Sequence, residues 1–347
     1  MIGSGLRSIA AFGAAAAVTA LLSMTSIAGA EECKPHEIDI GGGKTVTGGC
    51  DKLKIAVAIA ASNNVYLQAN IQAAKDAAAK YGADIEIFDA NWDPVNSFNQ
   101  VQNIITNGGF NAIVTGAYDG NQYCKQLTED AAAKNILVVL ANSPACNRST
   151  NEGEELWSPG TLSFVGGSQG RGPYRDWFFR IAEENPGPQK VAVITGPDSI
   201  ANTINTDLAI ADVKAKYPEF EIVGVARTDY TVLQGNQKFA PLLQANPDLT
   251  IVISNYSDMT RGAVQAIQQA GRAEGLKVYD FGGNKWAFEA VRRGQIESTL
   301  TMTPYAEYYK AVEALAAAWR GEKVDRYLPL ESVMITKENV DQHQPEF

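Results

Sequence analysis

The chain has 347 residues, with 39 acidic side chains against 29 basic ones and a formal charge of −10. That length suffices for two lobes of ordinary domain size, and scattered acidic residues with no basic cluster exclude nucleic acid and anionic membrane as partners. Four cysteines, two histidines (His36 and His343) and no Cys-x-x-Cys leave zinc without a ligand set, so no metal or cofactor is expected.

Arg7 opens an Ala/Leu-rich run that reaches Ile27, and Ala28-Gly29-Ala30 supplies the small residues that signal peptidase accepts. The apolar stretch is too short for a membrane span. Residues 1–30 therefore read as a cleaved secretory signal, with Glu31 first in the mature protein. Cys33 is not at a lipoprotein cleavage position, because Ala30-Glu31-Glu32 precedes it. The expectation is a monomer free in the periplasm. All four cysteines follow the signal, an even count in an oxidising compartment that argues for two disulfides. Three pairings are possible. Cys33 with Cys50, around Gly41-Gly42-Gly43 in an extension over 31–50, and Cys124 with Cys146 are favoured.

Strand-like and helix-like segments then alternate. Residues 55–60 form a strand, 66–81 a helix stopped by Gly82, and 85–88 a second strand; Asp93-Pro94 starts a helix that carries Val101, Ile104 and Ile105 inward. Residues 112–115, 121–133 and 136–140 follow as strand, helix and strand. The second half repeats the plan: strands at 161–165, 190–195, 221–226, 250–254 and 277–281, helices at 174–183, 203–216, 236–245 and 259–270. Continuous apolar runs joined by helices indicate parallel sheets covered on both faces. The fold class is α/β: two doubly wound parallel-sheet lobes. Residues 142–159, rich in Asn, Ser, Pro and Glu, make the first crossing between them. Cys124, in the first turn after the third strand, and Cys146, beyond the fourth, share the carboxyl edge of one sheet and can meet there.

Catalytic chemistry lacks its parts. There is no Gly-x-Ser-x-Gly elbow, both histidines lie near the ends of the mature chain, and no phosphate-binding Gly-x-x-x-x-Gly-Lys occurs. Gly166-Gly167-Ser168-Gln169-Gly170 does not match the dinucleotide fingerprint and reads as a tight turn that contributes a ligand contact. Carboxylates such as Asp119, Asp198 and Asp258 show no spacing that makes them a pair. No enzyme is expected.

Residues 52–335 resemble the ribose/galactose-type periplasmic sugar-binding proteins of ABC importers, the type I periplasmic binding protein fold. The resemblance rests on Ile55-Ala56-Val57 leading to Asn63-Asn64-Val65-Tyr66, on Asp89, and on Asn135-Ile136-Leu137-Val138-Val139. Thr228-Asp229-Tyr230, Pro247-Asp248, Asp258-Met259, Ala263-Val264-Gln265-Ala266-Ile267 and Phe281-Gly282-Gly283 extend it. It implies lobes closing over one small ligand at a three-strand hinge near Asn142, near 301–304 and near 327–330. Lobe one would then be 51–141 plus 304–327, and lobe two 143–301 plus 328–347. It also implies capture of a solute and its delivery to an inner-membrane ABC permease.

The departures bear on the ligand. Where ribose-type members carry a hinge-proximal Asp-Arg pair, this chain reads Asn142-Ser143. An arginine position reads Asn202, Asn205 and Thr206, a carboxylate reads Gly282, a glutamine reads Met302, and an asparagine reads Tyr256. The site reads as neutral and aromatic. Asn64 and Tyr66, Asp119, Asn142 and Gln169 are expected to contribute from one side of the cleft and the hinge. Asn205, Tyr230, Tyr256, Asn284 and Trp286 are expected from the other, with Tyr66 and Tyr230 covering opposite faces of the ligand and Asn142 and Asn205 bonding its polar groups. A neutral sugar or sugar alcohol fits this set. The alternative is a cation or amine-oxide held by aromatic faces and reported to a membrane sensor kinase.

Overall fold

The computed structural model describes residues 34–116 and 120–347. The signal segment, Cys33 and Asp119 lie outside the described residues. The chain opens on a hairpin, β1 (His36–Gly41) and β2 (Lys44–Gly48), paired antiparallel with Ile38 opposite Val46. Gly41, Gly42 and Gly43 all have positive φ, which a side-chain-free turn supplies without strain. A Cβ on Gly41 would lie 2.4 Å from the Trp157 ring, so this turn also needs glycine for its close approach. Alternating Ile38, Ile40 and Val46 are buried and join the first-lobe core.

The first lobe continues as β3 (Lys54–Ile59), α1 (Val65–Tyr81), β4 (Asp84–Asp89), α2 (Pro94–Asn107) and β5 (Ala112–Thr115). A π-bonded turn (Gln126–Asp130) runs into α3 (Ala131–Ala133), and β6 (Leu137–Ala141) and β7 (Ser163–Gly166) follow. The helices start where short polar side chains satisfy free amides: Asn64 Oδ1 accepts from Leu67 N, and Asp93 accepts from Val95 N and Asn96 N ahead of Pro94. The second lobe runs α4 (Arg171–Glu184), β8 (Gln189–Thr195), α5 (Ala201–Lys216), β9 (Phe220–Arg227), α6 (Val232–Ala245) and β10 (Ile251–Ser254). It continues with α7 (Ser257–Gln269), β11 (Lys277–Gly282), α8 (Lys285–Arg292) and β12 (Ser298–Thr301). Then come α9 (Pro304–Trp319), β13 (Tyr327–Pro329) and β14 (Met334–Thr336).

The strands form two six-stranded sheets, ordered β4-β3-β5-β6-β7-β13 and β9-β8-β10-β11-β12-β14. All neighbours in them are parallel except β12 and β14. Val/Ile-rich strands such as Ile55-Ala56-Val57 and Val191-Ala192-Val193 are buried on both faces, which is why they read as continuous apolar runs.

The lobe boundary differs from the sequence expectation. β7 pairs with β6 on one side and β13 on the other, so the chain stays in the first sheet past Asn142 and crosses only after Gly166. Ser163-Phe164-Val165-Gly166 is too apolar to leave the sheet, and Phe164 packs in the core beneath β6. Residues 142–162 are instead a loop that returns to the same lobe, tied down by the Cys124–Cys146 disulfide with Cα atoms 4.8 Å apart. Leu328 and Pro329 likewise belong to the first sheet, through β13. The chain crosses back between β12 and α9 and a third time between β13 and β14. Cys50 is disulfide-bonded; its expected partner, Cys33, lies outside the described residues. No helix among the described residues is long and apolar enough to cross a membrane.

Candidate functional site

The side chains of the cleft hang on connections that leave the carboxyl ends of strands, the edge where open α/β sheets bind ligands. After β6 the backbone of Asn142 turns left-handed, with φ 66°, a conformation asparagine tolerates, while its N–H bonds Val165 O at 2.9 Å. After β7, Gly166-Gly167 lead into the turn that presents Gln169 ahead of α4. After β9, Tyr230 has φ 66° and its ring lies against the backbone of Gly196, where a Cβ would come within 2.0 Å of the ring.

Between the two edges lies a cavity of about 100 Å³. Asn64, Tyr66, Leu67 and Asn70 of the α1 region, Trp92, Asn142, Ser143 and Tyr308 line it from the first lobe. Gln169, Ile200, Asn202, Tyr230, Tyr256 and Met302 line it from the hinge and the second lobe. None of these side chains is charged. The volume is small beside the roughly 300–1,000 Å³ usual for ligand pockets. Aromatic rings close the cavity: Trp92 stacks on Tyr230 across the lobes, with centroids 6.4 Å apart and planes 25° apart. Tyr230 meets Tyr256 edge-on at 5.7 Å, and Tyr66 meets Phe347 edge-on at 5.6 Å. The Trp92 indole N–H is held by Asn63 Oδ1 at 2.8 Å.

Behind the polar wall sits Glu307, in the first turn of α9 and fully buried. Tyr66 Oη donates to its Oε2 at 2.5 Å, and Asn142 Nδ2 donates to its Oε1 at 3.1 Å. Gln169 Nε2 donates to the same oxygen at 3.4 Å. Tyr66 Oη in turn accepts from Asn142 Nδ2 at 2.8 Å and from Gln169 Nε2 at 3.0 Å. Asn202 Nδ2 donates to Gln169 Oε1 at 2.6 Å, which carries the network into the second lobe. Burial pushes the Glu307 carboxyl up to about 8, against the hydrogen bonds from Tyr66 and Asn142 that favour its charged form. Burial also drives the Tyr66 and Tyr256 hydroxyls well above their usual range, so both stay neutral.

Six of the ten residues proposed from sequence line this cavity: Asn64, Tyr66, Asn142, Gln169, Tyr230 and Tyr256. Asn64 spends its Oδ1 on capping α1. Three others stand elsewhere. Asn205 is buried one turn past Asn202, where its Nδ2 donates to Ser149 O at 3.0 Å and Gln169 O at 3.4 Å; it holds the Gln169 backbone instead of facing the cavity. Asn284 caps α8 by accepting from Ala287 N and donates to Asp258. Trp286 packs on the second-lobe core. Asp119 lies outside the described residues. The sequence reading missed Asn70, Trp92, Tyr308 and Glu307. Trp92 follows Asp89, a residue already noted at a strand end, and could have been found there. Glu307 has the sequence signature of an ordinary acidic residue in a helix's first turn, which the helix dipole favours anyway.

A family model for the periplasmic binding protein domain matches residues 55–323. The chain belongs to that family. The ribose import binding protein of Salmonella typhimurium is 23% identical over 284 residues, 82% of this chain and 90% of the relative. The xylitol-binding protein of Mycolicibacterium smegmatis is 25% identical over 162 residues, 46% of each chain. An ABC transporter solute-binding protein from Mycobacterium smegmatis, solved with bound glycerol, superposes with a TM-score of 0.74 at 26% identity, covering 86% of this chain and 99% of its own. This chain is thus a solute-binding protein of the ribose/galactose type and not an enzyme, with the two-lobed type I fold. These relatives give no support to the cation and sensor-kinase alternative.

Proposed function

We propose that this periplasmic binding protein captures one small neutral sugar or sugar alcohol by closing its lobes and delivers it to an ABC import permease in the inner membrane. The observation that carries the reading is a cavity built from both lobes, walled by aromatic rings and amides and lined by no charged side chain. Aromatic faces cover C–H surface and amides serve hydroxyls, which suits a polyol and leaves an ionic ligand without a counter-charge at the wall. Relatives named for ribose and xylitol, and one solved with glycerol, support that class. The protein is exported by a cleaved signal over residues 1–30 and acts as a monomer without nucleic acid.

Calorimetry and thermal shift with glycerol, xylitol, myo-inositol and ribose, joined to mass spectrometry of co-purified solute, test the reading. At least one of these ligands is expected to bind one per chain and without turnover. Asn142→Ala and Gln169→Ala are expected to weaken it by about 1–3 kcal/mol each, because a ligand hydroxyl then loses its partner. No binding by any sugar or polyol, or appearance of new products, would overturn it.

A further inference from the structure

We infer that Glu307 is a specificity-determining positioning residue: it turns the site amides so that their oxygens, and not their N–H groups, face the ligand, and the site thereby selects for hydrogen-bond donors. The inference rests on the polyol reading and narrows it. A primary amide has two N–H donors and one oxygen with two lone pairs. Both N–H groups of Asn142 are spent inward, on Tyr66 Oη and Glu307 Oε1, and so are both of Gln169, on the same two oxygens. The Tyr66 hydroxyl gives its one proton to Glu307. Neither amide nor the phenol has a donor left for the cavity. Among the described residues, Asn142 Oδ1 accepts only from Ser143 Oγ, at 3.2 Å, and Gln169 Oε1 only from Asn202, so each keeps a lone pair.

An independent acceptor points the same way. Asn70 is 1% exposed and lines the cavity. Its Nδ2 donates to Pro304 O at 2.8 Å, which fixes the flip of the amide, and its Oδ1 has no partner. A buried oxygen without a partner is costly, and a ligand hydroxyl would relieve it. Three acceptors from Asn70, Asn142 and Gln169 thus converge on about 100 Å³. The chemistry that fits is a short polyol whose hydroxyls donate to these three oxygens, while the Tyr256 hydroxyl, also buried without a partner among the described residues, is left to donate to a hydroxyl oxygen. A carbonyl placed against the three amide oxygens would set acceptor against acceptor.

The orientation depends on Glu307 acting as an acceptor. Protonated, it would give a donor back to the network and release one amide to flip. The groups facing it are Tyr66 from α1, its neighbour Tyr308 on α9, Glu346 from the last residues, and the neutral amides of Asn142 and Gln169. Both tyrosines stay neutral, since burial raises them. With the carboxyl near 8, affinity for a polyol should rise as pH rises through that value.

The test is calorimetry on the full mature chain with glycerol, erythritol and xylitol at pH 6, 7, 8 and 9, and with dihydroxyacetone, which replaces the central donor of glycerol by a carbonyl. Wild type should bind its best polyol more tightly at pH 9 than at pH 6 and prefer glycerol over dihydroxyacetone. Glu307→Gln should bind that polyol at least tenfold more weakly, lose the pH dependence and narrow the glycerol preference. Equal polyol affinity in Glu307→Gln, or a wild-type affinity flat from pH 6 to 9, overturns the role of Glu307 and leaves the polyol reading standing. If none of the polyols binds, reading and inference fall together. Should Glu307→Gln fail to fold, judged by circular dichroism, the wild-type pH profile and the glycerol comparison decide.

Discussion

Glu307 places a measurable load on the empty protein. Its carboxyl is fully buried and titrates at about 8 instead of 4.5 because ionisation there must be done without water. Between those two values the folded chain holds a proton that the unfolded chain has released, so stability falls as pH rises through the window. At about 1.4 kcal/mol per pH unit the loss by pH 9 amounts to about 5 kcal/mol. Glu307→Gln removes the titration but leaves an amide N–H aimed at donors, a penalty of about 1–3 kcal/mol that does not change with pH. The quantity to measure is therefore a double difference. Urea unfolding of wild type and Glu307→Gln at pH 5 and pH 9, without ligand, should show the variant gaining about 4 kcal/mol on the wild type between the two, the remainder having been lost below pH 5. Parallel stability curves would refute the argument, because they would mean that Glu307 is either already ionised at pH 5 or as well solvated folded as unfolded.

Asp280 adds a second step at lower pH: buried among the hydroxyls of Ser257, Thr260 and Thr299, it is raised from 3.8 to about 6, so about 3 kcal/mol should be lost as pH rises from about 3 to 7, a dependence that should vanish in Asp280→Asn. Gly196→Ala should abolish ligand binding while leaving the circular dichroism spectrum native, since its Cβ would occupy the place of the Tyr230 ring; retained affinity would show that Tyr230 does not wall the site. Replacing Cys124 and Cys146 by Ser should cost about 2–4 kcal/mol in chemical unfolding, and no loss would show that the closed loop adds nothing. Small-angle scattering should give a smaller radius of gyration at saturating ligand, and an unchanged profile would contradict hinged closure.

The lobes were legible because parallel strands buried on both faces leave unbroken apolar runs, and because caps such as Asn64, Asp93 and Gly82 punctuate the helices locally. The first crossing was misplaced for a tertiary reason. Whether Phe164 and its neighbours pair with β6 or start a new sheet is decided by β13, more than 160 residues later, with Tyr327 opposite Phe164. At the site, residues that directly follow strands were found. Asn205 and Asn202 share a helix face in the sequence, and only the contacts of Gln169 tell which one reaches the cavity. Glu307 was invisible because its partners come from α1, the end of β6 and the turn before α4, none of them near it in the chain.

The loop over residues 142–162 is fastened along its length. The Cys146 sulfur is bound to Cys124, Cys146 N bonds Gly120 O at 3.0 Å, and Gly160 N bonds Ile40 O of the hairpin at 2.8 Å. Trp157 is wedged between the glycine turn and Arg326, whose guanidinium lies 5.0 Å from the ring centroid. The wall of the cleft that begins at Asn142 is therefore anchored to a cross-link, a strand pair and a cation–aromatic contact at once. The opposite wall, at Trp92 and Tyr230, is made of two rings whose backbones sit at positive φ and which stack on each other across the lobes, held by side-chain contacts and not by a cross-link. For anyone retuning this receptor as a biosensor, the consequence is an asymmetry of tolerance: changes of ligand size belong on the aromatic side, which can be rebuilt without unfastening the scaffold.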